Sequence, residues 1–427
     1  MEAYLINLAI YQALLLPIIF FSILYYVLGF TTLLVSMPRY KFPKIKDEDL
    51  PSVTVQIPVY NDPVAIRCVK KCLQFNYPKN KYDIIMADDS TDEITKNIID
   101  DFASRHASVR VVRRENRKGY KPGALNHILP QTKGDIICLF DSDFVPKKNF
   151  LRKLVAPFVQ DENVAVVQSR MNFTNYNTNI ISKFAGTLLI MYHNCIMPIG
   201  SKLNAIFFCG TGGAIRKDIL LKAGGWNDKS ITEDADLSVV LLEKGYKHVY
   251  MHNLTCAGEV PFTLKSFLVQ QTRWAYGMTR IFVERWKTIF FSKNFTLSQK
   301  GMITYITTGY VVAPIVVLVA ITGQLGWILT PPKPFLISDI LNFMLMFAYT
   351  SGFIFLGVIG IKRDGKIGDF FKLLLAAFTI GIVLAFTNMI AFFKAVLGMK
   401  SGWIRTPKMA NLSILQFFRK LFGRQEK

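Results

Sequence analysis

Two apolar blocks bracket a polar middle, and this arrangement limits the possible folds more than any single motif does. Residues 4–37 are almost wholly apolar. Near the other end, roughly 302–329, 335–361 and 370–398 are apolar too, each longer than the ~20 residues a helix needs to cross a bilayer core. Polar sequence fills the interval 40–260. The first block is too long for a signal-peptide core and no basic residue precedes it, so it reads as an uncleaved anchor. Arg39, Lys41, Lys44 and Lys46 follow closely, which puts the next segment in the cytoplasm and the N-terminus outside. The expected order is an anchor (1–38), a cytosolic domain (50–260), interface helices (261–295), membrane helices (302–398) and a basic tail (399–427).

The formal charge of +21 does not make this a nucleic-acid binder. Lysine and arginine are scattered over helices and membrane flanks, and no nucleic-acid signature interleaves them. Basic flanks, anionic headgroups and an anionic substrate account for the excess. Six cysteines (68, 72, 138, 195, 209 and 256) include no C-x-x-C pair. In a cytosolic domain that argues against structural disulfides, and no Cys/His group has zinc-ligand spacing. Cys68 and Cys72, four apart on an expected helix, read as packing residues.

Short apolar runs alternate with helical patterns through the middle. Ser52–Pro58, Asp83–Asp88, Val109–Arg113, Asp135–Phe140 and Asn163–Ser169 read as strands. Helices are expected near 63–74, 93–105, 121–131 and 147–158. Such alternation predicts an α/β domain with a parallel sheet covered by helices on both faces. Ligands then bind beyond the carboxyl ends of the strands, and the acidic signatures of this chain fall there.

Asp88-Asp89-Ser90-Thr91-Asp92 closes the second strand. It offers carboxylates to a base or ribose, or simply a strand end with Asp92 or Thr91 capping the next helix. Asp141-Ser142-Asp143 follows a run apolar enough to be a central strand. Two carboxylates one residue apart can share Mg2+ or Mn2+ with substrate phosphates. Thr232-Glu233-Asp234 precedes a helical pattern; Asp234 is the candidate general base, while Ser230-Ile231-Thr232-Glu233 also reads as a capping box. Gln270-Gln271-Thr272-Arg273-Trp274 lies in an amphipathic segment, 262–289, suited to a membrane surface. Trp274 offers a flat face to a sugar ring and Arg273 a fork to a diphosphate; a mere interfacial anchor is the plainer alternative. Lys118-Gly119-Tyr120-Lys121 opens a helix where an anion is favoured, or is an ordinary loop-to-helix joint with Pro122 in the first turn.

In combination these segments resemble processive glycosyltransferase family 2, the family of cellulose and hyaluronan synthases, and most closely plant cellulose-synthase-like mannan synthases. The likeness covers about residues 50–285 and rests on Val55-Gln56-Ile57-Pro58, Ala87–Asp92, Gly119–Leu125, Phe140–Phe144, Thr232–Asp234 and Gln270-x-x-Arg273-Trp274. It implies a GT-A (Rossmann-like) fold fused to an α-helical membrane bundle. It also implies inverting transfer of a hexose from a nucleotide sugar, UDP-glucose or GDP-mannose, with Mg2+ or Mn2+. By that resemblance Asp234 is the base beside Glu233. Asp62, Asp88, Asp89, Lys121, Asp141 and Arg273 serve the donor, and Asp141 with Asp143 holds the metal. Cys209, Gly210, Thr211, Gln270 and Trp274 face the acceptor. Trp403-Ile404-Arg405-Thr406-Pro407-Lys408 resembles a gating loop, which adds Trp403, Thr406 and Lys408 to the donor side.

The likeness departs in the membrane. Strict counting of one anchor and three later spans puts 399–427 outside, yet that tail holds seven Lys/Arg against one acidic residue. One stretch must then fail to cross, and 370–398 is expected to be that one, with Asn388–Gly398 at the interface. The leading expectation is a multi-pass enzyme of the cell membrane that extends a β-linked polysaccharide and couples growth to translocation. The alternatives are a synthase adding one sugar to a lipid such as diacylglycerol, and an assembly subunit without chemistry.

Overall fold

Four runs of the N-terminal half are rich in apolar residues because most of their strand surface is covered, as a sheet with helices on each side requires. In the computed structural model, which describes residues 2–329, 336–400 and 402, they form β1 (Val53–Val59), β2 (Tyr82–Asp88), β3 (Val109–Val112) and β4 (Ile136–Leu139). Three more strands complete the sheet: β5 (Val164–Phe173), β6 (Gly213–Arg216) and β7 (Lys247–Gly258). The order is β3-β2-β1-β4-β6-β5-β7. Alternate residues feed two cores. Val55, Ile57, Ile84, Met86 and Cys138 face one, with Cys68, Val69 and Cys72 of the 65–72 helix packed on them. Ile85, Ala87, Ile137 and Leu139 face the other, against Leu125, Ile128, Leu237 and Leu241. All six cysteines are free thiols, and Cys68 and Cys72 are packing residues.

The sheet is not wholly parallel. β1 through β4 pair in parallel, but β6 runs antiparallel between β4 and β5. Its register sets Gly213 opposite Leu139, so the turn that enters β6 lies at the carboxyl edge of the parallel strands. Neither β6 nor β7 was expected from the sequence. β6 is four residues of Gly, Ala, Ile and Arg, and β7 alternates with so many polar residues that it carries no apolar run.

Among the described residues, four helical segments are long and apolar enough to cross a membrane: Glu2–Leu34, Ile180–Lys202, Leu297–Leu329 and Ile367–Val396. Ile180–Lys202 was not expected, because Lys183, His193 and Asn194 dilute it. It packs between the sheet and the bundle, and five of its residues, Tyr192–Ile196, form a π-turn. The 370–398 stretch is one continuous helix, Phe370–Val396. The break lies instead in 335–361, where Ile337–Thr350 and Gly352–Arg363 meet at a 59° bend. The first helix holds that corner. Gly352 N donates to Ser22 Oγ (2.8 Å), and Tyr26 Oη lies 2.7 Å from Ser351 Oγ. A Cβ on Gly352 would come within 2.0 Å of the Ser22 carbonyl oxygen. The later part of the Phe370–Val396 helix lies along the Leu264–Phe291 helix, Ala391 and Ala395 against Ala275 and Tyr276. Ion pairs from Arg170 to Asp364 (2.8 Å) and Lys183 to Asp369 (2.5 Å) join the sheet side to the loop between two bundle helices.

Candidate active site

Three of the expected signatures converge because three elements end at one edge of the sheet. β4 runs straight into Asp141-Ser142-Asp143, the helix Glu233–Glu243 begins at Glu233, and the turn Cys209–Gly212 leads into β6. That turn is clamped from β5: Cys209 N donates to Gln168 Oε1 (2.9 Å), Gln168 Nε2 to Thr211 O (3.1 Å) and Ser169 Oγ to Gly212 O (2.5 Å). It is also sewn to β4. Gly212 N donates to Leu139 O (2.8 Å), and Asp141 N donates to Thr211 Oγ1 (2.9 Å). Gly210 has φ +69°, and a Cβ there would sit 2.6 Å from Asp234 Oδ2. Only glycine allows this backbone and lets the carboxylate come so close.

Lys121 is the hub. Its Nζ lies 2.8 Å from Asp141 Oδ1, donates to Gly210 O (2.9 Å) and stands 3.9 Å from Glu233 Oε1. Burial alone would lower its pKa, but Asp141 and Glu233 outweigh that and hold the ammonium above its ordinary range. Burial pushes the Glu233 carboxyl up to about 7, with Lys121 opposing and Asp234 adding. Burial also raises Asp234, against Lys121 and with Asp141 adding. Arg273 is lowered by burial despite the pull of Glu233, Asp141 and Asp234. Burial first and Asp234 second push the Cys209 thiol far up, so it is no nucleophile. The Ser230–Glu233 capping box does not form. Thr232 is the N-cap, and its side chain caps nothing.

Asp143 Oδ2 accepts from Glu259 N (2.6 Å), and Arg67 Nη2 bridges Asp143 O (3.0 Å) and Glu259 Oε1 (2.8 Å). Asp62 Oδ2 accepts from Ser142 Oγ (2.5 Å), fixing the residue between the two aspartates. Asp89 takes a bidentate fork from Arg114, at 2.8 and 2.7 Å. Asp88 faces away from the site. It accepts from Arg113 Nε (2.7 Å) and Ser90 N (3.0 Å) within the strand end. Asp92 caps the next helix through Thr95 N (2.7 Å).

A cavity of about 540 Å3 joins these groups. Its walls include Asp62, Asp89, Lys121, Asp141 and Asp143, then Cys209, Thr211, Glu233 and Asp234, then Gln270, Arg273 and Trp274. It continues into the bundle past Tyr25, Tyr305, Tyr310 and Phe353. Sequence reading missed several wall residues. Arg117 stacks on Tyr60 at 3.3 Å from the ring centroid, a flat charged platform on the cavity wall that only tertiary folding brings together. Glu259 follows the unforeseen β7. Trp403, Thr406 and Lys408 lie outside the described residues.

No group of three or more His, Cys, Asp or Glu residues among those described could hold a metal by itself. Asp141 and Asp143 supply hard oxygens on the cavity wall, which suits a cation that completes its coordination with substrate phosphates.

The comparisons with known proteins agree with this geometry. Residues 218–408 match the cellulose synthase model, a span that takes in Trp403, Thr406 and Lys408. Among curated relatives, glucomannan 4-beta-mannosyltransferase 2 of Arabidopsis thaliana is 30% identical over 350 residues, 74% of this chain and 65% of that one. A probable glucomannan 4-beta-mannosyltransferase 7 of rice is 33% identical over 282 residues, 64% of this chain and 48% of that one. The chain thus spans about half to two thirds of the length of these relatives. A mannosyltransferase from Pyrobaculum calidifontis, solved with GDP-Man and Mn2+, shares the fold at TM-score 0.67 and 16% identity, covering 92% of this chain and 99% of that one. With the model for glycosyltransferase-like family 2 matching residues 51–277, more than half of its length, the chain belongs to that family.

Proposed function

We propose that this protein is an inverting mannosyltransferase that moves mannose from GDP-mannose to the end of a β-linked glycan at a membrane, with its catalytic domain on the cytoplasmic side. The observation that carries the proposal is one cavity bounded at once by a half-buried carboxylate fit to act as base, by two aspartates with a lysine and an arginine fit for a diphosphate, and by an indole fit for a sugar ring. The names of the curated relatives and the nucleotide in the solved neighbour favour GDP-mannose over UDP-glucose.

The donor diphosphate lies toward Lys121 and Arg273, two half-buried cations that meet the charge of the departing nucleotide. Asp141 and Asp143 would hold Mg2+ or Mn2+ beside it; when bound, the cation neutralises charge on the leaving diphosphate. The acceptor end stacks on Trp274 and offers a hydroxyl to Asp234. Asp234 removes that proton as the oxygen attacks C1 from the face opposite the leaving group, which inverts the anomeric centre. The extension of the cavity into the bundle gives an acceptor longer than one sugar room beyond the reacting end, which supports polymer growth with export.

Product analysis tests the reading. The protein in lipid nanodiscs with Mn2+ would be given radiolabelled GDP-mannose and UDP-glucose in separate reactions. Label from GDP-mannose in a large, β-mannanase-sensitive product is expected. Label from UDP-glucose alone would overturn the donor assignment, and a small organic-extractable product would overturn the glycan acceptor.

A further inference from the structure

Four buried side-chain atoms on the cavity wall have no hydrogen-bond partner among the described residues: His193 Nε2, Thr232 Oγ1, Gln270 Oε1 and Asn388 Oδ1. They come from four separate elements. Thr232 and Gln270 belong to the motifs already read as catalytic. His193 and Asn388 do not. His193 sits in the π-turn Tyr192–Ile196 and is 1% exposed; Asn388 lies in the Phe370–Val396 helix and is 5% exposed. π-turns interrupt helices mostly at functional sites, and a buried polar atom left without a partner is costly unless something binds it.

The chemistry of the missing partner is legible at His193. Tyr250 Oη donates to the His193 carbonyl oxygen (2.8 Å) and lies 3.4 Å from His193 Nδ1. With its proton spent on the carbonyl, Tyr250 Oη accepts from Nδ1–H, and Nε2 is then a bare acceptor. Such an atom needs an O–H or N–H donor. A phosphate offers only acceptors at neutral pH, and an acyl chain offers neither. A sugar offers several hydroxyls, and the same hydroxyls suit the Asn388 and Gln270 amides.

We infer that His193 and Asn388 are positioning residues for the acceptor glycan: their side chains hydrogen-bond hydroxyls of the sugars behind the reacting one and set where its end meets Asp234. This inference rests on the glycosyl-transfer reading above, and it assigns to that cavity a polyhydroxyl ligand rather than a lipid tail.

The test uses the full chain in nanodiscs with Mn2+ and GDP-mannose, and β-1,4-mannotriose as acceptor, with His193→Phe and Asn388→Leu set beside the conservative His193→Gln and Asn388→Gln. Each apolar variant is expected to raise the acceptor KM roughly 3–10-fold, the value of one neutral hydrogen bond, while kcat stays within about twofold. GDP affinity by calorimetry should not move, and the amide variants should recover part of the loss. An unchanged acceptor KM, or a loss of GDP affinity and thermal stability in parallel with it, would overturn the inference. If the wild type transfers nothing from GDP-mannose, the donor reading fails on its own. Direct calorimetric binding of mannotriose and cellotriose to wild type and variants then decides: equal affinity in all of them sinks the role of His193 and Asn388, and weaker binding in the apolar variants upholds it.

Discussion

A carboxylate that must take a proton from a sugar hydroxyl needs an environment that makes it a better base than a solvated aspartate. Asp234 has one, because burial raises its pKa while Lys121 keeps the rise in check. Asp234→Asn is expected to lower kcat by about 10²–10⁴-fold with GDP binding intact, and an unaffected rate would remove Asp234 as the base. Lys121→Met should act through the same pair. Lys121 holds Glu233 and Asp234 down, so without it both carboxyls rise and each protonates at a higher pH. The acid limb of the kcat/KM profile should therefore move upward in pH, and a limb that stays put or moves down would contradict the assignment. The cavity residues proposed to meet ligand were legible because their types are rare in fixed order. Those that act by holding others were not. Nothing in the sequence distinguishes Arg114, which grips Asp89, from any surface arginine, or Gln168 from any buried glutamine. Asp88 shows the converse: it belongs to the same acidic pair as Asp89, yet the strand pleat turns it toward Arg113.

At the scale of elements, the turn Cys209–Gly212 is the tightest constraint. Gly210→Ala should cost at least about 10²-fold in kcat and only about 1 kcal/mol of stability, because a methyl 2.6 Å from Asp234 Oδ2 must displace the base rather than break the core. Activity near wild type would show that Asp234 tolerates movement. The bend at Ser351-Gly352 makes a second case. Gly352→Leu would drive a side chain into the Ser22 backbone and is expected to lower the melting temperature of the detergent-solubilised protein, whereas Ser22→Ala should cost about 1 kcal/mol, the value of one hydrogen bond. Five strands could be read from the sequence because strands covered on both faces are rich in apolar residues. β6 and β7 could not, being short or polar-lined and held by neighbours distant in sequence. The bend was hidden for the same reason, since its partners lie about 330 residues away in the first helix.

At the scale of the whole molecule, the sheet domain and the apolar helical bundle share one cavity, so neither completes it without the other. Asp141 and Asp143 do not form a cation cage by themselves, and metal and nucleotide should therefore bind together. Calorimetry should show GDP binding weakened at least about tenfold by EDTA and by Asp141→Asn, and Mn2+ binding weakly without GDP; metal-independent GDP affinity would separate the two aspartates from a metal. The broad order of a long apolar first helix, an α/β domain and further apolar helices was legible because hydropathy and strand–helix alternation are properties of long windows. The extra apolar helix Ile180–Lys202 escaped because Lys183, His193 and Asn194 interrupt its apolar run.

One stitch joins the two halves of the chemistry. Asp141, on the proposed donor side, donates its backbone N–H to Thr211 in the turn proposed to face the acceptor, and the next residue, Gly212, is bonded to β4 again. A shift on either side of that seam must be felt on the other. Thermodynamic linkage then makes the effect symmetrical: by whatever factor a bound glycan changes the affinity for the nucleotide, the nucleotide changes the affinity for the glycan by the same factor.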